Sequence, residues 1–234
     1  PDMVSAAGIV DADRLIVASS RSLSLLNLRD GTAEILVPLE ADNPVTRSND
    51  GRADPQGGFW IGTMGLNAEP GAGSIWRYYK GELRRLFPAI TITNAICFSP
   101  EGDLAHFADT DRATIWQVRL DRDGWPLGEP RVFIDLSAEG LNPDGAVIDA
   151  EGGLWSAQWG ASRVARHDRQ GRFDRAIELP ARHVSCPAFG GPALDRLFAT
   201  SARQGLDDPR PADGCTFVAD AGLRGQAEHR VLIG

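Results

Sequence analysis

The stretch DAEGGLWSAQWG, residues 149–160, follows a plan that returns elsewhere in the chain as DADRLIVAS (11–19), DPQGGFWIGT (54–63), SPEGDLAHFADT (99–110) and GGPALDRLFATS (190–201). An acidic or glycine-rich turn comes first, then a large apolar residue, then small and apolar residues in alternation. The copies begin about 40–50 residues apart, which is the period of a four-stranded blade and too long for most helical solenoid repeats.

Working outward from each turn, the pattern predicts four strands. One precedes the turn (AICFSP, 95–100; GAVIDA, 145–150; PAFGG, 187–191) and a second follows it. A third comes after a small-polar loop (SIWRYYK, 74–80; TIWQVRL, 114–120; RVARHD, 163–168), and a fourth runs outward (LRRLF, 83–87; PRVFIDL, 130–136; RAIELP, 175–180). Dipeptides such as Asp30-Gly31, Glu101-Gly102, Glu151-Gly152 and Gln170-Gly171 supply the reversals of an antiparallel meander. Blades of this kind pack face to face around a central channel and so limit exposed sheet edges. The expected fold is an all-β propeller, read as a single domain over residues 1–234. Trp60 and Trp155 match after the turn, and Trp76 and Trp116 match in the third strand, which predicts packing between sheets rather than ligand stacking.

Composition narrows the partners. The 234 residues are 42% hydrophobic, enough for a full-sized core, and the net charge of −8 comes from acidic residues scattered along the chain. That balance argues against nucleic acid or an anionic membrane and favours a small molecule or a cation. Cys97, Cys186 and Cys215 form no CxxC pattern and read as reduced thiols. No apolar run reaches the roughly 20 residues of a membrane span, and the opening PDMVSAAGIVDADRL lacks the features of a signal peptide, so a cytoplasmic protein is expected.

In a propeller the first strand of each blade lines the channel, and residues just upstream of each turn converge at its entrance. Here they are polar: Arg47, Asn49 and Asp50 in RSNDGRADP, Asn94 in TITNAICFSP, and Asn142 and Asp144 in LNPDGAVIDA. Amide and carboxylate oxygens suit a hard cation such as Ca²⁺ or Mg²⁺, which can polarise a carbonyl or acidify water. Arg47 offers directional donors to a hydroxylated or anionic substrate. The plainer reading is that NDG and PDG are turn sequences whose side chains cap their own backbone. Asn94 fits that reading least, because its neighbours predict strand and a buried carboxamide needs partners. There is no GxSxG, and the four histidines pair with no serine motif.

Taken together, RSNDGRADPQGGFWIGTMG, PGAGSIWR, ITNAICFSPEG, FADT, PDGAVIDAEGGLWSAQWG, RVARHDRQGR, CPAFGGPALDRLFATSAR and DAGLRG resemble the senescence marker protein, gluconolactonase and regucalcin-like family of six-bladed propellers, in family order from about residue 43 onward. The resemblance implies a sugar-lactone hydrolase using one divalent cation, drawn from Ca²⁺, Zn²⁺, Mn²⁺, Mg²⁺ and Fe²⁺. By motif, Asn94 and Asp144 match metal ligands, Asp144 also matches the general base, and Arg47 and Asn49 match substrate-binding residues. A non-catalytic propeller binding calcium or a metabolite is the alternative, and a pure interaction scaffold is a third. The family's opening GEGP stretch and its metal-binding glutamate have no counterpart, so about five blades are expected here, with the first apparently missing. Near the family's lid residue after GTM stand Asn67 and Glu69.

Overall fold

A computed structural model describes residues 3–234. Five antiparallel sheets follow one another along the chain. The first holds β1 (Val4–Ile9), β2 (Arg14–Ser19), β3 (Ser22–Asn27) and β4 (Ala33–Pro38), and the second β5 (Thr46–Ala53), β6 (Phe59–Gly65), β7 (Gly73–Tyr79) and β8 (Glu82–Ile90). The third holds β9 (Thr93–Phe98), β10 (Leu104–Asp109), β11 (Thr114–Leu120) and β12 (Pro126–Asp135). The fourth holds β13 (Asn142–Ile148), β14 (Leu154–Trp159), β15 (Arg163–His167) and β16 (Phe173–Glu178). The fifth is three-stranded: β17 (His183–Gly190), β18 (Arg196–Ala202) and β19 (Phe217–Asp220).

In every sheet the strands pair in chain order, as a meander should. The innermost strands β1, β5, β9, β13 and β17 pack against one another in sequence. This is the all-β propeller expected from the repeats. Among the described residues no helix is long and apolar enough to cross a membrane.

The core lies between sheets. Ile16, Leu23, Phe59 and Ile61 join the first to the second. Trp60, Ile75, Phe98 and Phe107 join the second to the third, Ile115, Ile134, Ile148 and Leu154 the third to the fourth, and Trp155, Val164, Phe189 and Leu197 the fourth to the fifth. Trp60 and Trp155 are fully buried. No such cluster joins the fifth sheet to the first among the described residues. On these two sheets Val4 is 67% exposed and Val218 49%. The described residues thus build five blades, whereas the resemblance implied a ring of six.

The segment after β19 crosses the end of the channel where the inner strands finish. Gly225 bridges to Asp149. The Gln226 side chain donates to Phe98 O and Ile148 O (3.3 and 3.1 Å), Glu228 pairs with Arg52, and Val231 N donates to Ile9 O (2.8 Å).

Candidate functional site

The inner strands share an irregularity at one height. Asn49 and Asp50 together face Gly62, Ala95 and Ile96 face Phe107, Asp144 and Gly145 face Ala157, and Ser185 and Cys186 face Thr200. Two residues opposite one make a β-bulge, which bends the strand and re-aims its side chains. A Cβ on Gly145 would lie 2.9 Å from both Cys186 Sγ and Ser185 O, so glycine is needed where β13 and β17 approach.

Arg47, Asn49, Asn94 and Asp144 line one cavity of about 510 Å³ at the starting ends of β5, β9 and β13. Three blades therefore converge at one mouth, opposite the end crossed by Gln226.

Asn94, only 5% exposed, is fixed by its surroundings. Its Nδ2 donates to Thr110 Oγ1 (2.8 Å), whose own hydroxyl donates to Pro143 O (2.6 Å) on the next blade. That leaves the Asn94 Oδ1, which accepts one long bond from Asn49 Nδ2 (3.3 Å). Asn49 Nδ2 also donates to Thr93 O (2.8 Å), and its Oδ1 accepts from Arg47 NH1 (2.8 Å). Arg47 NH1 donates in addition to Ser48 O (2.8 Å), and partial burial draws the guanidinium below its ordinary pKa.

Asp144 stands apart. Its carboxylate forms no ion pair among the described residues, and only the Gly145 N–H works to lower its pKa. Burial, reinforced by the charge of nearby Asp50, pushes its pKa up to about 8. Asp50 does not line this cavity. It accepts from Ile96 N (2.8 Å) and faces a neighbouring space shared with Arg52, Cys186 and Glu228; burial raises its pKa as well.

Other expectations sort as follows. Asn67 and Asn142 line the cavity, whereas the Glu69 carboxylate accepts from Asn67 N and Nδ2 (both 3.0 Å) at its edge. All three cysteines are free, as the sequence suggested, and Cys186 is exposed in that second space. No histidine lines the cavity. The sequence reading passed over Thr110, Asp111, Trp159 and Gln204, which do. Thr110 sits in the FADT motif, where its signal was available.

The donor set is compatible with a hard cation. One carboxylate without a countercharge and one amide oxygen held by its own Nδ2 bond both face the same space. No cluster of three or more His, Cys, Asp or Glu side chains suited to a metal occurs among the described residues, so asparagine oxygen would be part of any such site.

Residues 1–203 match the family model described as SMP-30/Gluconolactonase/LRE-like region. The chain is 37% identical to an L-arabinolactonase of Azospirillum brasilense, over 94% of this chain and 75% of that one. It is 32% identical to a 6-deoxy-6-sulfogluconolactonase of Pseudomonas putida, over 97% and 80%. Among solved structures, a calcium-binding protein, regucalcin, of Agrobacterium tumefaciens superposes with a TM-score of 0.96 at 42% identity, covering 100% of this chain and 81% of that one.

Proposed function

Because the chain belongs to the SMP-30/gluconolactonase/LRE-like family, we propose that it hydrolyses a sugar lactone at the cavity where β5, β9 and β13 begin. The observation that carries this reading is the convergence of Arg47, Asn49, Asn94 and Asp144 on one space from three blades. The two lactonases at 37% and 32% identity support it.

In the proposed reaction, the N–H groups of Arg47 not held by Ser48 and Asn49 donate to substrate hydroxyls, in directions fixed by the planar fork. Asn49 sets that fork and links it to Asn94. Asp144 accepts a proton as a water oxygen bonds to the acyl carbon. The acyl–oxygen bond of the ring then breaks, and the proton passes from Asp144 to the departing ring oxygen, giving the open hydroxy acid. Without a cation, burial and Asp50 hold the Asp144 carboxyl above the ordinary carboxylate range; a cation held beside it would favour the ionised form that can accept the proton. Asn94 Oδ1 and the Asp144 carboxylate would hold the divalent cation, which when bound supplies Lewis-acid polarisation of the carbonyl.

A second reading, cation binding without turnover, draws support from the description of the 42%-identical regucalcin as calcium-binding. The six-bladed count also belongs here: a further blade between β1 and β17 would cover the apolar side chains exposed on the first and fifth sheets.

Proton release from aldonolactones, measured with Ca²⁺, Mg²⁺, Mn²⁺ or Zn²⁺ and after chelation, tests the proposal. Turnover above the spontaneous rate that chelation abolishes is the expected result. Cation binding seen by calorimetry with no turnover of any aldonolactone establishes the second reading instead.

A further inference from the structure

One wall of the cavity has no part in the chemistry above. Trp159 closes β14, paired across the ladder with Asn142, and lines the space beside Asp144. One side of its indole stacks on His183, with ring centroids 4.1 Å apart and planes 21° from parallel, and the His183 Nδ1 lies 3.0 Å from Gln204 O. Three other tryptophans have their N–H groups engaged: Trp60 with Asp54, Trp155 with Asp149 and Trp76 with Glu40 (3.1, 2.8 and 2.8 Å). The Trp159 N–H meets no acceptor among the described residues, and it is the one tryptophan lining this cavity. A ring stacked on His183, with its donor unclaimed, stands across from the amides and carboxylates of the inner strands in a cavity that Met64, Leu66 and Ile92 also line. Apolar surface and a few placed polar groups are what a small-molecule site uses to fix orientation.

We infer that Trp159 is the specificity-determining platform of this site. It stacks against the C–H face of a polyhydroxylated lactone ring and donates its indole N–H, which points outward in the ring plane, to a hydroxyl at the edge of that ring, and His183 is the positioning residue that holds the indole upright. The inference rests on the lactonase reading and deepens it. The site selects hydroxylated lactones over unsubstituted ones of the same ring size, because a donor built for a hydroxyl is left unpaired by a ring without one.

The test compares wild type, Trp159→Ala, Trp159→Phe, His183→Ala and His183→Phe on gluconolactone and on unsubstituted valerolactone, with melting temperatures as the folding control. Trp159→Ala is expected to lose about 10-fold or more in kcat/KM for gluconolactone, mostly through KM, and several-fold less for valerolactone. His183→Ala shifts the same ratio in the same direction, and His183→Phe restores it. Folded Trp159→Ala with an unchanged ratio overturns the inference while leaving the lactonase reading intact. Should wild type turn over neither lactone, the lactonase reading falls. Anhydroglucitol, a sugar ring without the ester, then decides by calorimetry: binding that Trp159→Ala abolishes upholds the platform, and binding it leaves unchanged overturns it.

Discussion

Asp144 and Asp149 stand at opposite ends of one inner strand in opposite electrostatic conditions. Asp149 is fully buried, and all its oxygens are met: Oδ1 accepts from Glu151 N and Gly153 N (both 2.9 Å), Oδ2 from Trp155 Nε1 and Arg166 Nε (both 2.8 Å). Asp54 repeats the arrangement in the second blade with Gln56 N, Gly58 N, Trp60 Nε1 and Arg77 Nε (2.9, 2.8, 3.1 and 2.6 Å). Asp144 has no cation beside it among the described residues, and only the Gly145 N–H favours its ionised form. Burying a carboxylate is tolerable when donors and a countercharge replace water. The turn aspartates meet that condition from within the blade and are parts of the scaffold. Asp144, half-buried at the cavity wall, does not, and it keeps its unpaired side towards the cavity.

The comparison breaks most visibly at Asp144 itself. Asp144→Asn is expected to lower lactone turnover by about 10³-fold while leaving the melting temperature of the cation-free protein unchanged or higher, since an amide of the same shape replaces a carboxyl that no cation pairs. A large fall in melting temperature would place Asp144 with the scaffold carboxylates. Asp54→Asn should do the reverse, losing about 3–5 kcal/mol in urea unfolding, because Arg77 is left buried without a carboxylate. Asp149→Asn should lose less, since Arg166 retains Asp174 at 2.8 Å. Equal losses would show that the second carboxylate contributes nothing.

Thr110→Val tests the link between blades. It removes the acceptor of Asn94 Nδ2 and the donor to Pro143 O, so divalent-cation affinity measured by calorimetry should fall about 10- to 100-fold, as for other residues that orient a ligand. Unchanged affinity would separate Asn94 from the cation.

The smallest effects are in pH. His106 and His167 are buried and held neutral, with pKa values pushed down to about 3 and about 4 from 6.5 by desolvation. Below pH 6.5 the unfolded chain binds protons that the native one refuses, so stability falls as pH drops towards 4. Asp144 has the opposite sign. The native state keeps its proton up to about pH 8 while the unfolded one releases it near 3.8, so its contribution is lost as pH rises through that window in cation-free protein. Urea midpoints across pH should show a shallower acid limb in His106→Gln and a flatter neutral limb in Asp144→Asn.

Much of this molecule can be read from its sequence because blade turns and strand alternation are local signals. The repeat at 149–160 and its four counterparts locate the turn between the first and second strands of every sheet. The burial of Trp60 and Trp155 follows from their shared place after that turn. Arg47, Asn49, Asn94 and Asp144 were visible as polar residues recurring just upstream of the blade turns, Asn94 most clearly because its strand TNAICF is otherwise largely apolar. The bulges were not, because the paired residues inside them share no chemistry: Asn-Asp, Ala-Ile, Asp-Gly and Ser-Cys. Trp159 was passed over because its contact with His183 joins residues from different blades, and no local pattern carries that.

The bulges have a consequence for how such a protein can change. At each one two residues stand against one, so the bend and not the regular ladder aims the side chain, and each blade limits it differently: Gly145 leaves no room for a Cβ, whereas the Ser185 hydroxyl is tied to Thr200 Oγ1 at 2.8 Å. The ring thus offers a set of sockets at one level, some of them laced to the next blade, as Asn49 is to Thr93 O and Asp50 to Ile96 N (both 2.8 Å). New chemistry can be tried by altering two letters in one blade while the other blades keep the frame intact.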